Sequence, residues 1–221
     1  MRQRLLILLL FAACTQAARA DDYGSPGGDT NLELGRYHTD FKYFDGDHQA
    51  DVGRYGVAFS QPVADDFAFE LHGGYLTLDV DGEPQPVPAS GSGRYLGLMG
   101  RYEGSEGDYL NFSAELAYTW HDVNSYNLQT ASSESTWYET WGEAGPVFRY
   151  DRWRLSLGAY YQGFSGTETD ANPYRLLDFS AARSVGAYGG IAFYIDPTGS
   201  IGLYATTGAR HGVQLVFRRE F

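Results

Sequence analysis

Two acidic stretches hold the residues best suited to acid–base chemistry. Asp79 and Asp81 alternate in the stretch LDVDGE, and His121 is followed directly by Asp122. A histidine oriented by a carboxylate can act as a general base that activates water, so this pattern suggests a hydrolase. Acidic residues are also common turn formers at loop entrances. We favour that second interpretation and predict no catalytic residues.

Clustered carboxylates at residues 45–47 (DGD) and 79–83 (DVDGE) suggest a second kind of chemistry, cation binding. Calcium is bound by several carboxylate and carbonyl oxygens supplied from one loop. Neither stretch completes a known calcium loop. We therefore expect no metal site and no cofactor beyond loosely bound divalent cations.

The hydrophobic pattern has a period of two residues, which is typical of strands. In YLNFSAELAYTWH, alternate residues from Leu110 to Trp120 are apolar or aromatic. In the first strand, Leu32 and Leu34 are out of phase with Tyr37 and Phe41, so we predict a β-bulge near Gly35. The whole chain gives ten predicted strands, at residues 32–43, 50–60, 66–80, 93–103, 109–121, 136–149, 153–164, 184–195, 200–207 and 212–221.

Short turns and long polar connections alternate between these strands. This asymmetry, together with an even number of strands, is typical of outer-membrane barrels. Aromatic residues fall at both ends of one strand face, as expected for belts at the two membrane interfaces. A soluble barrel or sandwich is the alternative fold, but it gives no reason for two belts. The predicted belts are Tyr75, Tyr118, Trp120, Tyr138 and Tyr161 at one end, and Phe67, Tyr102, Phe148 and Trp153 at the other.

The first twenty residues have the features of a secretory signal peptide. Arg2 and Arg4 precede an apolar run, and residues 18–20 (ARA) resemble a signal-peptidase site. We therefore divide the chain into a signal peptide (1–20), a flexible lead-in (21–30) and an all-β barrel (31–221). Cys14, the only cysteine, leaves with the signal peptide unless it is lipidated, which is the alternative for this residue.

The charge of the chain excludes one class of partner. The formal net charge is −12, and Lys42 is the only lysine. Nucleic-acid binding needs a basic surface that contacts phosphates. We therefore expect no nucleic-acid partner.

These features together resemble the small Gram-negative outer-membrane β-barrels, including the OmpA/OmpX-like group. The resemblance covers the whole chain and implies a ten-stranded antiparallel up-and-down transmembrane barrel with both termini in the periplasm. It also implies that the last strand carries a signal for the barrel-assembly machinery, although Arg219 stands where the family prefers an aromatic residue. The residues of this signal are Val213, Leu215, Phe217 and Phe221.

The strand face opposite the apolar one is predicted to line the lumen. Its positive and negative charges nearly balance, which indicates ion pairs that fill a narrow barrel, because an unpaired buried charge is costly. A narrow channel for a small solute or ion is the alternative. The predicted network comprises Arg36, Asp40, Lys42, Arg54, Glu70, Arg101, Glu115, Glu139, Glu143, Arg149, Arg154 and Arg218.

The predicted function is therefore a structural or surface-interaction role in the bacterial outer membrane. We expect a monomer whose partners are membrane lipid, lipopolysaccharide and the barrel-assembly machinery. Three hydrolase types occur among small outer-membrane barrels, and the omptin proteases also have ten strands. The acidic stretches only weakly resemble the omptin pattern, so a rim-located protease or lipid-modifying hydrolase is the third alternative.

Overall fold

The computed structural model describes residues 28–43, 46–81, 90–104, 109–125, 133–171 and 174–221. The predicted signal peptide, Cys14, Asp45 and most of the predicted lead-in lie outside these residues. Within the described part of the chain, no helix has the length and apolar character needed to cross a membrane.

Eleven antiparallel strands form one continuous sheet. Ten of them close a barrel, because the last strand pairs with the first from Asp29↔Glu220 to Thr39↔Arg210. The predicted ten-stranded antiparallel barrel is thus confirmed, and one further strand was not predicted. The strands are β1 (Asp29–Tyr43), β2 (Gly46–Ala64), β3 (Phe67–Asp81), β4 (Ser90–Glu103), β5 (Leu110–Ser125), β6 (Ser133–Tyr150), β7 (Trp153–Ala171), β8 (Tyr174–Ala181), β9 (Val185–Asp196), β10 (Gly199–Gly208) and β11 (Arg210–Glu220).

The unpredicted strand, β8, changes the number of strands along the barrel axis. The long β7 pairs with β9 in its first half and with β8 in its second half. At the same level β8 also pairs with β1, at Phe41↔Ala181 and Lys42↔Ser180. Eight strands, β1 to β8, therefore close a narrower barrel beyond the ten-stranded part. We call the ten-stranded part the base, and the eight-stranded part the head (residues 37–43, 46–53, 76–81, 90–95, 121–125, 133–138, 163–171 and 174–181).

The short hairpin of β10 and β11 ends beneath β8. Its turn contains Gly208 at φ 105°, a conformation that favours glycine. A Cβ atom at Gly208 would lie 2.5 Å from the Cα of Gly186. Ala209 is 3% exposed, and its amide donates to the carbonyl of Val185 at 3.0 Å. The Thr39 hydroxyl donates to the Ala209 carbonyl at 3.1 Å, which fixes the tip of the hairpin.

Apolar side chains change face between base and head. In the base they point outward, as Leu98 and Leu116 do, each 64% exposed. The outward apolar stretch of β5 runs from Leu110 to Trp120, close to the roughly 9–11 residues of a tilted transmembrane strand. In the head the apolar side chains point inward and form a buried core. That core comprises Tyr37, Phe41, Tyr43, Ala50, Val52, Leu76, Leu78, Val80, Tyr95, Val123, Trp137, Phe164, Leu177 and Phe179.

This change of face explains the irregular pattern of the first strand. Leu32 and Leu34 are exposed on the outside of the base, whereas Tyr37 and Phe41 are buried inside the head. The pairing of β1 with both of its neighbours is continuous and has no register shift. The predicted bulge near Gly35 is therefore wrong, because a regular strand whose buried face changes gives the same pattern.

The residues of the predicted aromatic belts lie on the outer face of the base. Tyr75, Tyr118, Tyr138 and Tyr161 are each about half exposed at its head end. Trp120 lies beside them, with the Arg94 guanidinium 5.7 Å from its ring centroid. At the opposite end lie Phe67, Tyr102, Phe148 and Trp153.

Candidate functional site in the barrel interior

The structure divides the predicted luminal residues into two groups. Arg36, Asp40 and Lys42 were predicted to be luminal, and this is wrong. They share the outer face of β1 with Leu32 and Leu34, and the Arg36 side chain is 71% exposed and paired with Asp51 outside the barrel. The error arose because the predicted bulge near Gly35 reversed the face that was assigned to the second half of β1. The other nine point inward: Arg54, Glu70, Arg101, Glu115, Glu139, Glu143, Arg149, Arg154 and Arg218.

Glu139 is the centre of a buried cluster at the boundary between head and base. It accepts a hydrogen bond from Arg54 and one from Gln162 Nε2, the latter at 3.1 Å. Arg210 Nη1 lies 3.9 Å from Glu139 Oε1, and His121 Nε2 lies 3.5 Å from Oε2. We call Arg54, His121, Glu139, Gln162 and Arg210 the hub. Its one glutamate is shared by two arginines, so the hub carries net positive charge.

Aromatic rings compensate part of this positive charge. The Arg210 guanidinium carbon lies 3.6 Å from the centroid of the Tyr37 ring and 4.9 Å from that of Trp141. The Arg54 guanidinium lies over Tyr95 at 5.1 Å. Such cation–π contacts are stronger where water is excluded. The hub thus connects the charged lumen of the base to the aromatic core of the head.

A second cluster is formed by Arg101 in the middle of the base. Its Nη2 donates to Glu70 Oε2 at 2.9 Å, and its Nε donates to Glu115 Oε1 at 3.0 Å. Asn31 Nδ2 donates to the same Glu70 oxygen at 3.2 Å. One arginine on β4 therefore holds carboxylates from both neighbouring strands, β3 and β5.

A third set of ion pairs lies at the end of the base where β1 begins and β11 ends, which we call the terminal end. Glu103 accepts hydrogen bonds from Arg149 and from Arg154, the latter at 2.9 Å. Arg218 pairs with Asp29. These contacts connect β1, β4, β6, β7 and β11, so the charges cross-link non-adjacent strands as well as neighbours.

The charged interior residues Asp29, Glu33, Glu103 and Arg210 were not predicted. Glu33 was missed because β1 was given the wrong phase, and Asp29 because it fell in the predicted lead-in. Arg210 falls in the short connection GARH, which shows no alternation, and Glu103 was assigned to the end of a strand. A continuous phase along β1 would have identified Glu33, whereas no sequence signal distinguishes Arg210 from a turn residue.

A cavity of about 190 Å³ lies within the base, between the hub and the terminal end. Five glutamates and five arginines line it, together with several tyrosines. The charged lining residues are Glu33, Arg54, Glu70, Arg101, Glu115, Glu139, Glu143, Arg154, Arg210 and Arg218.

The residues considered for hydrolysis are not brought together. His121 is fully buried and stacks on Trp137 at 4.4 Å. Asp122 points to the outer face and accepts a hydrogen bond from Arg94 at 3.0 Å. Asp79 is exposed on the outside of β3. In the described part of the chain, no group of three or more His, Cys, Asp or Glu side chains is arranged to hold a metal ion.

The residues of the proposed assembly signal lie on the outside of β11. Val213, Leu215 and Phe217 share its outer face. The Phe221 amide donates to the Gly28 carbonyl at 2.9 Å, next to the start of β1. Arg219 donates to Asp196 at 2.7 Å, and this hydrogen bond is the main cause that lowers the pKa of Asp196 to about 2.

No family model and no curated protein matches this sequence. Solved structures do match it over nearly its whole length. The outer-membrane protease OmpT of Escherichia coli has a TM-score of 0.57 and 7% identity, covering 92% of this chain and 99% of OmpT. The translocator domain of the autotransporter NalP of Neisseria meningitidis has a TM-score of 0.51 and 10% identity, covering 95% and 96%. The chain therefore has the closed, outward-apolar barrel fold of the bacterial outer-membrane proteins.

Proposed function

We propose that this protein is a monomeric outer-membrane barrel that is closed to solutes and presents its head outside the cell for a structural or surface-interaction role. The observation that carries the proposal is the apolar core of the head. Ordinary porins have a polar interior filled with water, and this head has a packed interior instead.

In the described part of the head, aromatic rings fill the centre of the barrel. Phe41 lies at the centre and contacts Phe164, Phe179 and Trp137, with ring centroids 4.9, 5.1 and 6.0 Å away. Leu76 is completely buried beside them. Protein cores are packed as densely as organic crystals, so a hydrated ion has no room to pass through this core.

The hub adds a second barrier beneath the core. A permeating ion would have to separate Glu139 from Arg54 and Arg210. Breaking one partner out of a buried ion pair costs about 3–5 kcal/mol. The two barriers in series support a closed lumen over the narrow-channel alternative.

Conductance in planar lipid bilayers tests this proposal. We expect no steady conductance from the wild type, and measurable openings when the core is emptied by Phe41→Ala together with Phe179→Ala. The matched control is Tyr55→Ala with Phe59→Ala, which removes two aromatic rings from the outside of β2. Steady conductance of the wild type would refute the closed lumen and favour the channel.

The proposed orientation places both termini in the periplasm and the head outside. It is supported by the short turns at the terminal end of the base, which is the arrangement of known barrels. Single cysteines at Glu134 on the head and at Thr198 in the turn after β9 provide the test. A membrane-impermeant maleimide added to intact cells should label only Glu134→Cys, and labelling of only Thr198→Cys would reverse the orientation.

The proposed partners are outer-membrane lipid, lipopolysaccharide and, during assembly, the barrel-assembly machinery. Acidic side chains such as Asp47 and Asp79 would meet the anionic outer leaflet through divalent cations. We do not extend the protease activity of OmpT to this chain. The likeness concerns the fold, and His121 and Asp122 here lie on opposite faces of β5.

A further inference from the structure

We propose that the cavity in the base is a binding site for a small organic cation, such as a primary or quaternary ammonium compound. The proposal does not require the head to be outside the cell, and it goes beyond the closed barrel by assigning the cavity a class of ligand.

The first argument is that two carboxylates on the cavity wall lack an ion-pair partner, although glutamates and arginines are equal in number there. Each of the five lining arginines has a carboxylate partner, whether in the hub, in the Arg101 cluster or at the terminal end. Among the described residues, neither Glu33 nor Glu143 forms an ion pair. A buried charge without a counter-charge is strongly unfavourable, so a cation in the cavity would stabilise both.

The position of Glu143 strengthens this argument. It lies directly opposite Glu115 in the pairing of β5 with β6, and both side chains point inward. Like charges directly opposite on neighbouring strands are destabilising. Arg101 compensates Glu115, whereas Glu143 accepts only a hydrogen bond from Trp141 Nε1 at 3.0 Å.

A second and independent observation concerns acceptor atoms without donors. Asn31 and Glu70 line the cavity and are only 3% and 2% exposed. Within the described part of the chain, the Oδ1 atom of Asn31 and the Oε1 atom of Glu70 have no hydrogen-bond partner. Buried polar atoms are nearly always satisfied in native proteins, so these oxygens require a hydrogen-bond donor, such as the N–H of a primary ammonium or the hydroxyl group of choline. Among the described residues, three arginines also keep an unpaired Nε, but each of them already pairs with a carboxylate through another nitrogen.

The size and lining of the cavity favour an organic over a bare inorganic cation. Its volume of about 190 Å³ exceeds the roughly 150 Å³ of an engineered cavity that binds benzene. Tyr188, Tyr194 and Tyr204 form the wall contributed by β9 and β10. Aromatic faces attract ammonium groups, so this wall complements the carboxylates of Glu33 and Glu143.

The lining also indicates the route of entry. It extends from Arg54 and Arg210 in the hub to Ser200 and Arg218 at the terminal end. The apolar core of the head closes the other direction. The cation would therefore enter from the terminal end of the base.

Calorimetric titration of the purified barrel in detergent micelles tests the proposal, with choline as the charged compound. Its neutral isostere, 3,3-dimethylbutan-1-ol, has nearly the same shape. We expect choline to bind and the alcohol to bind at least about tenfold more weakly, a difference of about 1.4 kcal/mol. We expect weaker choline binding from Glu33→Gln, from Glu143→Gln and from the double variant. These variants should still fold, because each removes a charge that has no ion-pair partner. Glu134→Gln, on the outside of the same strand β6, is the matched control and should bind as the wild type does.

Several results would overturn the proposal. The proposal is refuted if the neutral alcohol binds as tightly as choline, or if the folded double variant binds choline as the wild type does. It is also refuted if choline does not bind up to about 10 mM, or if Mg²⁺ at equal concentration displaces it. A conducting wild type with intact choline binding would refute the closed lumen alone, so the two proposals fail separately.

Discussion

Glu139 is the residue on which the charge balance of the hub depends. Its two oxygens serve Arg54, Arg210 and Gln162, and it is almost completely buried. Asp51 forms a comparable pair with Arg36, but on the outer surface of the head. Both pairs join an arginine to a carboxylate, but they differ in their access to water.

We predict that Glu139→Gln destabilises the barrel by about 3–5 kcal/mol, because two buried arginines lose their carboxylate. Asp51→Asn should cost about 0–1 kcal/mol, as exposed ion pairs do. Urea unfolding in lipid vesicles, followed by tryptophan fluorescence, measures both. Equal losses for the two variants would show that the hub is hydrated and that its charges are not isolated from water.

At the scale of elements, β8 is held unequally by its two neighbours. It pairs with β7 at seven consecutive positions and with β1 at only two. One additional backbone hydrogen bond, from the Ala182 amide to the Asp40 carbonyl at 3.1 Å, supports the β1 side. The boundary between β1 and β8, which we call the seam, is therefore the weakest line in the head.

We predict that the backbone amides of β8 exchange hydrogen faster than those of β2, because local opening starts where few contacts are lost. In a Cys14→Ser background, a disulfide from Lys42→Cys and Ser180→Cys should slow this exchange by closing the seam. The matched pair Thr167→Cys and Asp178→Cys joins β8 to β7 on the same outer face and should have little effect. If β8 is as protected as β2 without any disulfide, the seam is not a weak line.

The strands of the base could be predicted from sequence, whereas β8 and the face of β1 could not. The period of two residues predicts the ten strands. Their even number and the alternation of short and long connections then predict a closed barrel. Among the β8 side chains that the structure describes, Leu177, Phe179 and Ala181 point inward, and this short pattern follows a long polar connection. For β1, alternation shows that residues share a face but does not show which face is inside.

The same limit applies to the interior site. Polar residues that alternate with apolar ones along a strand of the base point inward. The strand pattern therefore predicts the inward direction of Arg54, Glu70, Arg101 and Glu139. Their partners do not all follow from this pattern, because Arg54 reaches across the barrel from β2 to Glu139 on β6, and Arg210 comes from a turn. Pairing across a barrel depends on side-chain geometry that the sequence does not contain.

At the scale of the whole molecule, base and head are built on opposite principles. The base exposes its apolar residues and buries ion pairs, whereas the head buries an apolar core. Leu98 and Leu76 illustrate the contrast, since the first is 64% exposed and the second is fully buried.

We predict that Leu98→Arg destabilises the protein by about 2–4 kcal/mol in lipid vesicles, because the arginine would face the bilayer interior. On a protein surface that faces water, a substitution of this kind usually has little effect on stability. Leu76→Ala should cost about 2–5 kcal/mol through the cavity it leaves in the head. Reversible unfolding in vesicles measures both variants. If Leu98→Arg is as stable as the wild type in lipid vesicles, the outer face of the base does not contact the bilayer interior, and the soluble-barrel alternative is favoured.

The buried tip of the β10–β11 hairpin has a consequence for how this protein can vary. Surface proteins of bacteria escape antibodies by diversifying the connections that antibodies reach. Gly208 and Ala209 lie beneath β8, and a side chain added at position 208 would collide with the backbone of Gly186 and Val185. With the head outside the cell, this turn would be invisible to antibodies and intolerant of inserted peptides, so antigenic drift would be confined to the other connections.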